Sequence, residues 1–163
     1  MTELKRATVY TDGACIGNPG PGGYGVVLLY QDNREELSGG FCKTTNNRME
    51  IMAAIVGLKT LKEKYNIKLY SDSAYLVKAI SEGWAERWRA NGWMRNRKER
   101  ARNPDLWERL LQLCKYHEVE FIWIKGHAAN FENVRCDALA IQAAQQPGLP
   151  RDEGYEKSPG SLW

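Results

Sequence analysis

The order of periodicities along the chain predicts an α/β domain built on a mixed sheet. Three strand-like segments with short connections come first, the pattern then turns helical, and two further strand-like segments alternate with helices. A meander followed by strands joined through crossover helices accounts for that order. At 163 residues the chain has the size of one domain able to bury its own core.

Lys5–Asp12 alternates, with Thr8, Tyr10 and Asp12 on one face and Ala7, Val9 and Thr11 on the other. Cys15–Gly23 is a Gly/Pro turn region, and Gly25–Tyr30 and Glu35–Cys42 read as strands joined by a turn around Asp32-Asn33. Thr45–Lys64 carries Met49, Met52, Ala53, Val56 and Leu61 at helical spacing, with Thr45 or Asn46 as N-cap. Ile67–Ser71 is a short strand and Ser73–Ser81 opens another helix. Pro104 suits the first turn of a helix over Leu106–Tyr116, Glu118–Ile124 is a fifth strand, and Asn133–Gln146 a final helix with Val134, Ala138, Ile141 and Ala144 periodic. From Pro147 on, three prolines and three glycines in 17 residues predict a tail without regular structure, with Tyr155, Leu162 and Trp163 available to dock on the body.

Composition excludes several classes. The longest apolar run, Ile51–Val56, is far short of the ~20 residues a membrane helix needs, and the opening Met-Thr-Glu-Leu-Lys-Arg leads into no apolar signal core, which points to a cytoplasmic rather than an exported protein. Cys15, Cys42, Cys114 and Cys136 form no CxxC pair, and neither HExxH nor a Cys/His cluster occurs, so zinc chemistry is disfavoured. Gly20-Pro-Gly-Gly-Tyr-Gly25 matches GxGxxG formally, but it leads into a strand where a dinucleotide site needs a helix, so it reads as close backbone approach. Nothing demands an oligomer; a monomer is the default.

Four carboxylates stand where a bland explanation fits badly. Asp12 ends the first strand before Gly13, and Asp72 ends the fourth. Glu50 lies on the Ala53/Ala54/Gly57 stripe of its helix, and Asp137 shares a face with Val134, Ile141 and Ala144. Carboxylates on apolar faces are costly unless paired or metal-bound, and strand ends are where open α/β sheets bind ligands. Four converging would repel and raise one another's pKa, a conflict that hard divalent cations such as Mg²⁺ or Mn²⁺ relieve. Singly, each also fits an N-cap, a solvated charge or a salt bridge, and spacing alone does not bring them together.

Two other features bear on chemistry. Lys125-Gly126-His127 follows the fifth strand, and a loop histidine is either structural or a proton relay at the same sheet edge; His117, at a helix–strand junction, reads as structural. Between Trp84 and Arg102 lie seven basic residues against two acidic, a local +5 in a chain of net charge +3, interleaved with Trp84, Trp88 and Trp93. Cations for phosphates and flat rings for sugars or bases suit a nucleic-acid surface; a core-facing Trp pair with a solvated basic side is the alternative.

Tyr10-Thr-Asp-Gly-Ala-Cys15, Gly17-Asn-Pro-Gly-Pro-Gly-Gly-Tyr-Gly25, Thr44-Thr-Asn-Asn-Arg-Met-Glu50, Ser71-Asp-Ser73, Lys125-Gly-His127 and Cys136-Asp137 together resemble, in order, bacterial type 1 ribonuclease H. The match runs from about Thr8 to Ala144, with the Pro/Gly tail outside it. The resemblance implies a ribonuclease H-like fold, a five-stranded mixed sheet (antiparallel meander plus two crossover strands) flanked by helices. It also implies a catalytic domain over residues 1–146 with a basic protrusion at 84–102, and a tail at 147–163.

The same resemblance implies a metal-dependent endonuclease that cuts the RNA strand of RNA–DNA hybrids, leaving 5′-phosphate and 3′-hydroxyl ends, with roles in RNA primer and R-loop removal. Asp12, Glu50, Asp72 and Asp137 would hold two Mg²⁺ ions, with Mn²⁺ a substitute, and His127 would aid proton transfer or product release. Lys43, Thr45 and Asn103 would grip a DNA phosphate. Gly13, Cys15, Asn18, Asn46 and Asn47 would contact the hybrid, and Trp84 and Trp88 would belong to the surface facing the DNA strand. Ala74 departs from the Gln frequent in the family, and Ala128-Ala-Asn-Phe131 from its Gly- and Pro-containing loop. A hybrid-binding module without cleavage and another nuclease or strand-transfer enzyme of this fold are the rival readings; the four carboxylates argue against the first, and the Thr-Asn-Asn-Arg-Met-Glu motif and the protrusion against the second.

Overall fold

The computed structural model of the chain describes residues 3–126 and 130–157. β1 (Lys5–Cys15), β2 (Gly20–Tyr30) and β3 (Asn33–Thr44) form the meander; β4 (Tyr65–Ser71) and β5 (Glu118–Trp123) join through crossovers. The sheet order is β3-β2-β1-β4-β5, with β1 antiparallel to β2 and parallel to β4, and β4 parallel to β5. The helices are α1 (Asn46–Thr60), α2 (Ala74–Ser81), α3 (Trp84–Ala90), α4 (Pro104–Tyr116), α5 (Phe131–Ala144) and the short α6 (Glu153–Lys157). No helix among the described residues is long and apolar enough to cross a membrane.

Strand alternation sends the two faces of the sheet to two helical layers. Val26 and Leu28 face the main core with Met49, Ile55 and Leu58 of α1 and Leu110 of α4, whereas Val27 between them packs with Cys136 and Leu139 of α5. Thr45 caps α1, its Oγ1 accepting the Arg48 N–H at 3.2 Å, and Ser73 caps α2 in the same way through Leu76. Buried His117 joins the end of α4 to the start of β4. Its Nδ1 accepts the Tyr65 N–H, which leaves Nε2 to donate to the Leu58 carbonyl at 3.0 Å, so the structural reading of this residue holds.

Three expectations are corrected. β2 begins at Gly20, inside the predicted turn region, because its glycines are strand positions pressed against α5: a Cβ on Gly23 or Gly25 would collide with the Ala140 or Cys136 carbonyl. The buried residues of α5 are Asn133, Cys136, Leu139, Ala140, Ala143 and, as expected, Ala144, while Val134 and Ile141 lie exposed. Small residues win the inner face because the helix sits almost on the backbone of β2. Finally, the segment after Pro147 is not without regular structure: the backbone N–H of Cys42 donates to the Pro150 carbonyl at 2.8 Å, Asp152 is buried, and Glu153–Lys157 form α6. Tyr155 is half-buried there; Leu162 and Trp163 lie outside the described residues.

Candidate active site

Parallel pairing of β1 and β4, with Tyr10 opposite Tyr70, sends both strands out at one edge of the sheet two residues before Asp12 and Asp72. Asp12 is buried in β1, and its Oδ1 accepts the Gly13 N–H at 2.9 Å. Gly13 is required here, since a Cβ would sit 2.5 Å from the Glu50 backbone nitrogen. That close approach brings Glu50 of α1, also buried, over the strand end. Asp72 occupies the connection between β4 and α2. Carboxylate oxygens of Asp12, Glu50 and Asp72 lie within 4.8 Å of one another. Asp137, in the second turn of α5, lines the same cleft of about 370 Å³, together with Gly13, Asn46, Ser73 and Asn133.

Electrostatics follow from that crowding. Burial, then the charge of Asp72, then contact with Asp137 push the Asp12 carboxyl up to about 8. Glu50 is driven well above the usual carboxylate range by burial first and by Asp12 and Asp72 next. Glu50 Oε2 is buried with no hydrogen-bond partner, an orphaned acceptor that costs free energy unless a cation meets it. An oxygen-only, acidic donor set with such an acceptor fits a hard divalent ion.

The sequence-predicted substrate residues fall into distinct places. Asn18 Oδ1 accepts the Asn46 N–H at 3.0 Å, tying the β1–β2 connection to the start of α1. The Cys15 thiol is pushed up by burial and points at the Gly17, Gly20 and Thr44 carbonyls. Thr45 and Asn103 meet around Arg48, which donates its backbone N–H to the first and Nη1 to the second at 3.3 Å; Lys43 is exposed on β3, two residues before Thr45. Asn47 opens onto a larger groove of about 1050 Å³, shared with Tyr75, Trp84, Arg87, Trp88, Arg95 and Arg102. Trp88 anchors this protrusion edge-on against buried Trp107, with centroids 6.1 Å apart, while Trp84 and Trp88 both reach the groove. The core-facing reading of the Trp pair is thus met at Trp88, while both rings also line the groove.

Exposed Ala74 presents only a methyl group at the start of α2. His127 lies outside the described residues, although Gly126 before it packs on Asp72: a Cβ there would stand 2.7 Å from Asp72 Oδ2. Sequence reasoning missed Asn133, almost fully buried in the wall of the cleft, although its position one turn before Asp137 was a usable signal. It also missed Arg48, whose buried guanidinium donates to Asn103.

A ribonuclease H family profile matches residues 4–145. The Ribonuclease H of Desulforamulus reducens is 68% identical over 151 residues, 93% of this chain and 95% of that protein. Among solved structures, LC9-RNase H1, a type 1 RNase H with the type 2 active-site motif, superposes with a TM-score of 0.78 at 26% identity, covering 99% of this chain and 85% of its own. LC11-RNase H1, solved in complex with RNA/DNA hybrid, gives a TM-score of 0.66 at 23% identity over 85% and 96% of the two chains and supports the fold. The chain belongs to the ribonuclease H family, in its bacterial type 1 branch. It is a nuclease of the hydrolase class, in a family that depends on divalent metal.

Proposed function

We propose that the carboxylate cleft hydrolyses the RNA strand of RNA–DNA hybrids, leaving 5′-phosphate and 3′-hydroxyl ends, with two Mg²⁺ ions held by Asp12, Glu50, Asp72 and Asp137 when substrate is bound. Mn²⁺ would substitute. The observation that carries this reading is the convergence of carboxylate oxygens of Asp12, Glu50 and Asp72 within 4.8 Å, together with the unpartnered Glu50 Oε2. Divalent cations in such a site supply charge neutralisation at the attacking and leaving oxygens of an in-line displacement. The hybrid complex of LC11-RNase H1 supports the choice of substrate.

The chain's own residues do the rest. Asp12 and Glu50, fixed in β1 and α1 and almost fully buried, present their carboxylates to the cleft. Gly13 and Asn46 line the cleft, and with Cys15 and Asn18 they would meet the minor groove, where recognition of 2′-hydroxyls would distinguish RNA from DNA. Asn47, Trp84 and Trp88 border the groove that would take the DNA strand, whose phosphate would be held by Lys43, Thr45 and Asn103. His127 would move the proton of the leaving group or release product. On this reading residues 1–146 are the catalytic domain, 84–102 its substrate arm and 147–163 a terminal segment. The protein acts as a monomer in the cytoplasm, on RNA primers and R-loops.

The test is cleavage of an end-labelled hybrid with Mg²⁺, beside duplex RNA, duplex DNA, an EDTA lane and Asp12→Asn. Cutting confined to the RNA of the hybrid, and lost with EDTA and in the variant, is expected. A hybrid bound but left intact with both Mg²⁺ and Mn²⁺ would replace this reading with a binding module.

A further inference from the structure

Asp12 and Glu50 belong to a strand and a helix, which hold them rigidly, but Asp72 does not. It sits in the short connection between Ser71, the last residue of β4, and Ser73, the N-cap of α2. Its neighbours are secured locally: the Ser71 carbonyl accepts the Ile124 N–H at 3.0 Å, and Ser71 Oγ accepts the Ser73 N–H at 3.0 Å. The carbonyl of Asp72 itself is held by a side chain from the neighbouring strand, the Trp123 indole N–H at 3.1 Å.

Trp123 ends the edge strand β5 and is 53% exposed, so burial does not explain a tryptophan at that position. Its bond fixes the peptide plane that follows Asp72. The orientation of that plane is coupled to the direction in which the Asp72 side chain leaves the backbone, toward the Asp12 and Glu50 oxygens. Gly126, three residues on, packs against the carboxylate itself, where a Cβ would stand 2.7 Å from Asp72 Oδ2. The end of β5 and the residues after it therefore meet Asp72 twice, through one bond to its backbone and one close approach to its carboxylate.

We propose that Trp123 is a positioning residue: its indole N–H, bonded to the Asp72 carbonyl, holds the Asp72 carboxylate in register with Asp12 and Glu50 for cation binding. This rests on the reading of Asp72 as a metal ligand. Groups that orient metal ligands from outside influence affinity about 10- to 100-fold, and a single backbone bond belongs at the lower end.

Trp123→Phe removes the N–H and keeps an aromatic ring. Mg²⁺ binding to the intact, nucleic-acid-free protein is measured by calorimetry for the parent, Trp123→Phe and Asp72→Asn, with melting curves in EDTA. The indole N–H resonance that disappears in Trp123→Phe is followed by NMR while the parent is titrated with Mg²⁺. About tenfold weaker Mg²⁺ binding in Trp123→Phe is expected, with a melting temperature within about 2 °C of the parent. The hybrid KM should be unchanged, kcat should recover at high Mg²⁺, and the parent's indole resonance should shift in step with binding. Parent-like affinity in Trp123→Phe, with binding lost in Asp72→Asn, overturns the proposal alone. Parent-like affinity in Asp72→Asn overturns the metal-ligand reading beneath it. If Trp123→Phe melts early, the NMR titration decides, and an indole resonance indifferent to Mg²⁺ counts against the proposal.

Discussion

Arg48 and Asp152 lie 104 residues apart in the chain and are joined by two hydrogen bonds, Nε to Oδ2 at 2.7 Å and Nη2 to Oδ1 at 3.0 Å. Their side chains are 1% and 5% exposed. Asp105 adds a second bidentate pair to the same guanidinium at 2.9 and 2.7 Å, and Thr44 Oγ1 donates to Asp152 Oδ2 at 2.7 Å. One buried cation thus ties α1 to the start of α4 and to the segment before α6. Asn103 also accepts from the Arg48 guanidinium, so one corner of the proposed phosphate pocket is built on the same tie, while Thr45 is held through the backbone N–H of Arg48.

Removing one partner of a buried pair costs more than the pair contributes, since the remaining charge is stranded. Asp152→Ala leaves the Arg48 guanidinium with Asp105 as its remaining carboxylate, beside the weaker bond to Asn103, and takes the acceptor from Thr44. A loss of about 3 kcal/mol is expected, the low end of the range for broken buried pairs because Asp105 remains. Urea unfolding of Asp152→Ala, and of a chain ending at Gln146, measures it; parent-like stability in both would show that the tie is ornamental.

The sheet was legible because alternation in Lys5–Asp12 and the short apolar runs of the other strands need only local chemistry. The four carboxylates were legible one by one, each as an acid on an apolar face or at a strand end. Their convergence was not, since it depends on the parallel register that sets Tyr10 opposite Tyr70 and on how far α1 sinks onto Gly13. In α5 the periodic Val134 and Ile141 suggested the wrong inner face, because the glycines of β2 that select small residues are more than 100 residues away in the chain. Asp152 carries no local signal, and only its partner Arg48 reveals its role.

Asp12 bears on stability as well as chemistry. It ionises near 3.8 in an unfolded chain but near 8 in the cleft, so the metal-free fold loses stability as pH rises between those values. Asp12→Asn removes that loss. At pH 7 in EDTA the variant should melt higher than the parent, each kcal/mol relieved being worth about 2–4 °C. Added Mg²⁺ should raise the parent's melting temperature and leave the variant's nearly unmoved. A variant that melts at or below the parent would mean that the cluster is not under strain.

Glu36 carries the opposite sign. Arg135 first, against a smaller opposing effect of burial, and then Arg34 hold its carboxyl at about 2 instead of the usual 4.5. Its contribution is therefore complete above 4.5 and drains away as pH falls toward 2. The pairs are partly exposed, at 28% for Glu36 and 37% for Arg135, so the effect is small and weakened by salt. Glu36→Gln should be slightly less stable than the parent at neutral pH, and the gap should close in acid titrations between pH 4.5 and 2. A gap that stays constant over that range would rule out the ion pair as its source.

Gly25 tests the seat of α5. A methyl group there would collide with the Cys136 carbonyl and stand 3.0 Å from the Ala140 nitrogen, backbone atoms with no rotamer to yield. Gly25→Ala is expected to cost at least the ~1–3 kcal/mol of an overpacked core. It should also depress cleavage beyond the loss of folded protein, because α5 carries Asp137. Thermal melting and kcat per folded molecule separate the two effects, and a destabilised variant with full kcat would detach Asp137 from the chemistry.

The protrusion should contribute through charge. Arg97, Lys98 and Arg100 are exposed beside the Met94–Arg100 bridge, whereas Arg95 is engaged by Glu99 at 2.7 Å. Each phosphate neutralised on a duplex contributes about 0.9 to the slope of log affinity against log salt. Replacing Arg97, Lys98 and Arg100 by Gln in an Asp12→Asn background, where the hybrid stays intact, should therefore lower that slope by up to about 3. Trp84→Ala should act differently: a ring on the groove wall contributes stacking, worth about 1–3 kcal/mol per base and insensitive to salt. Its affinity should fall by a similar factor at every salt concentration, with the slope unchanged. Should the triple Gln variant keep the parent's slope, the basic residues face solvent and the groove binds hybrid through its aromatic wall alone.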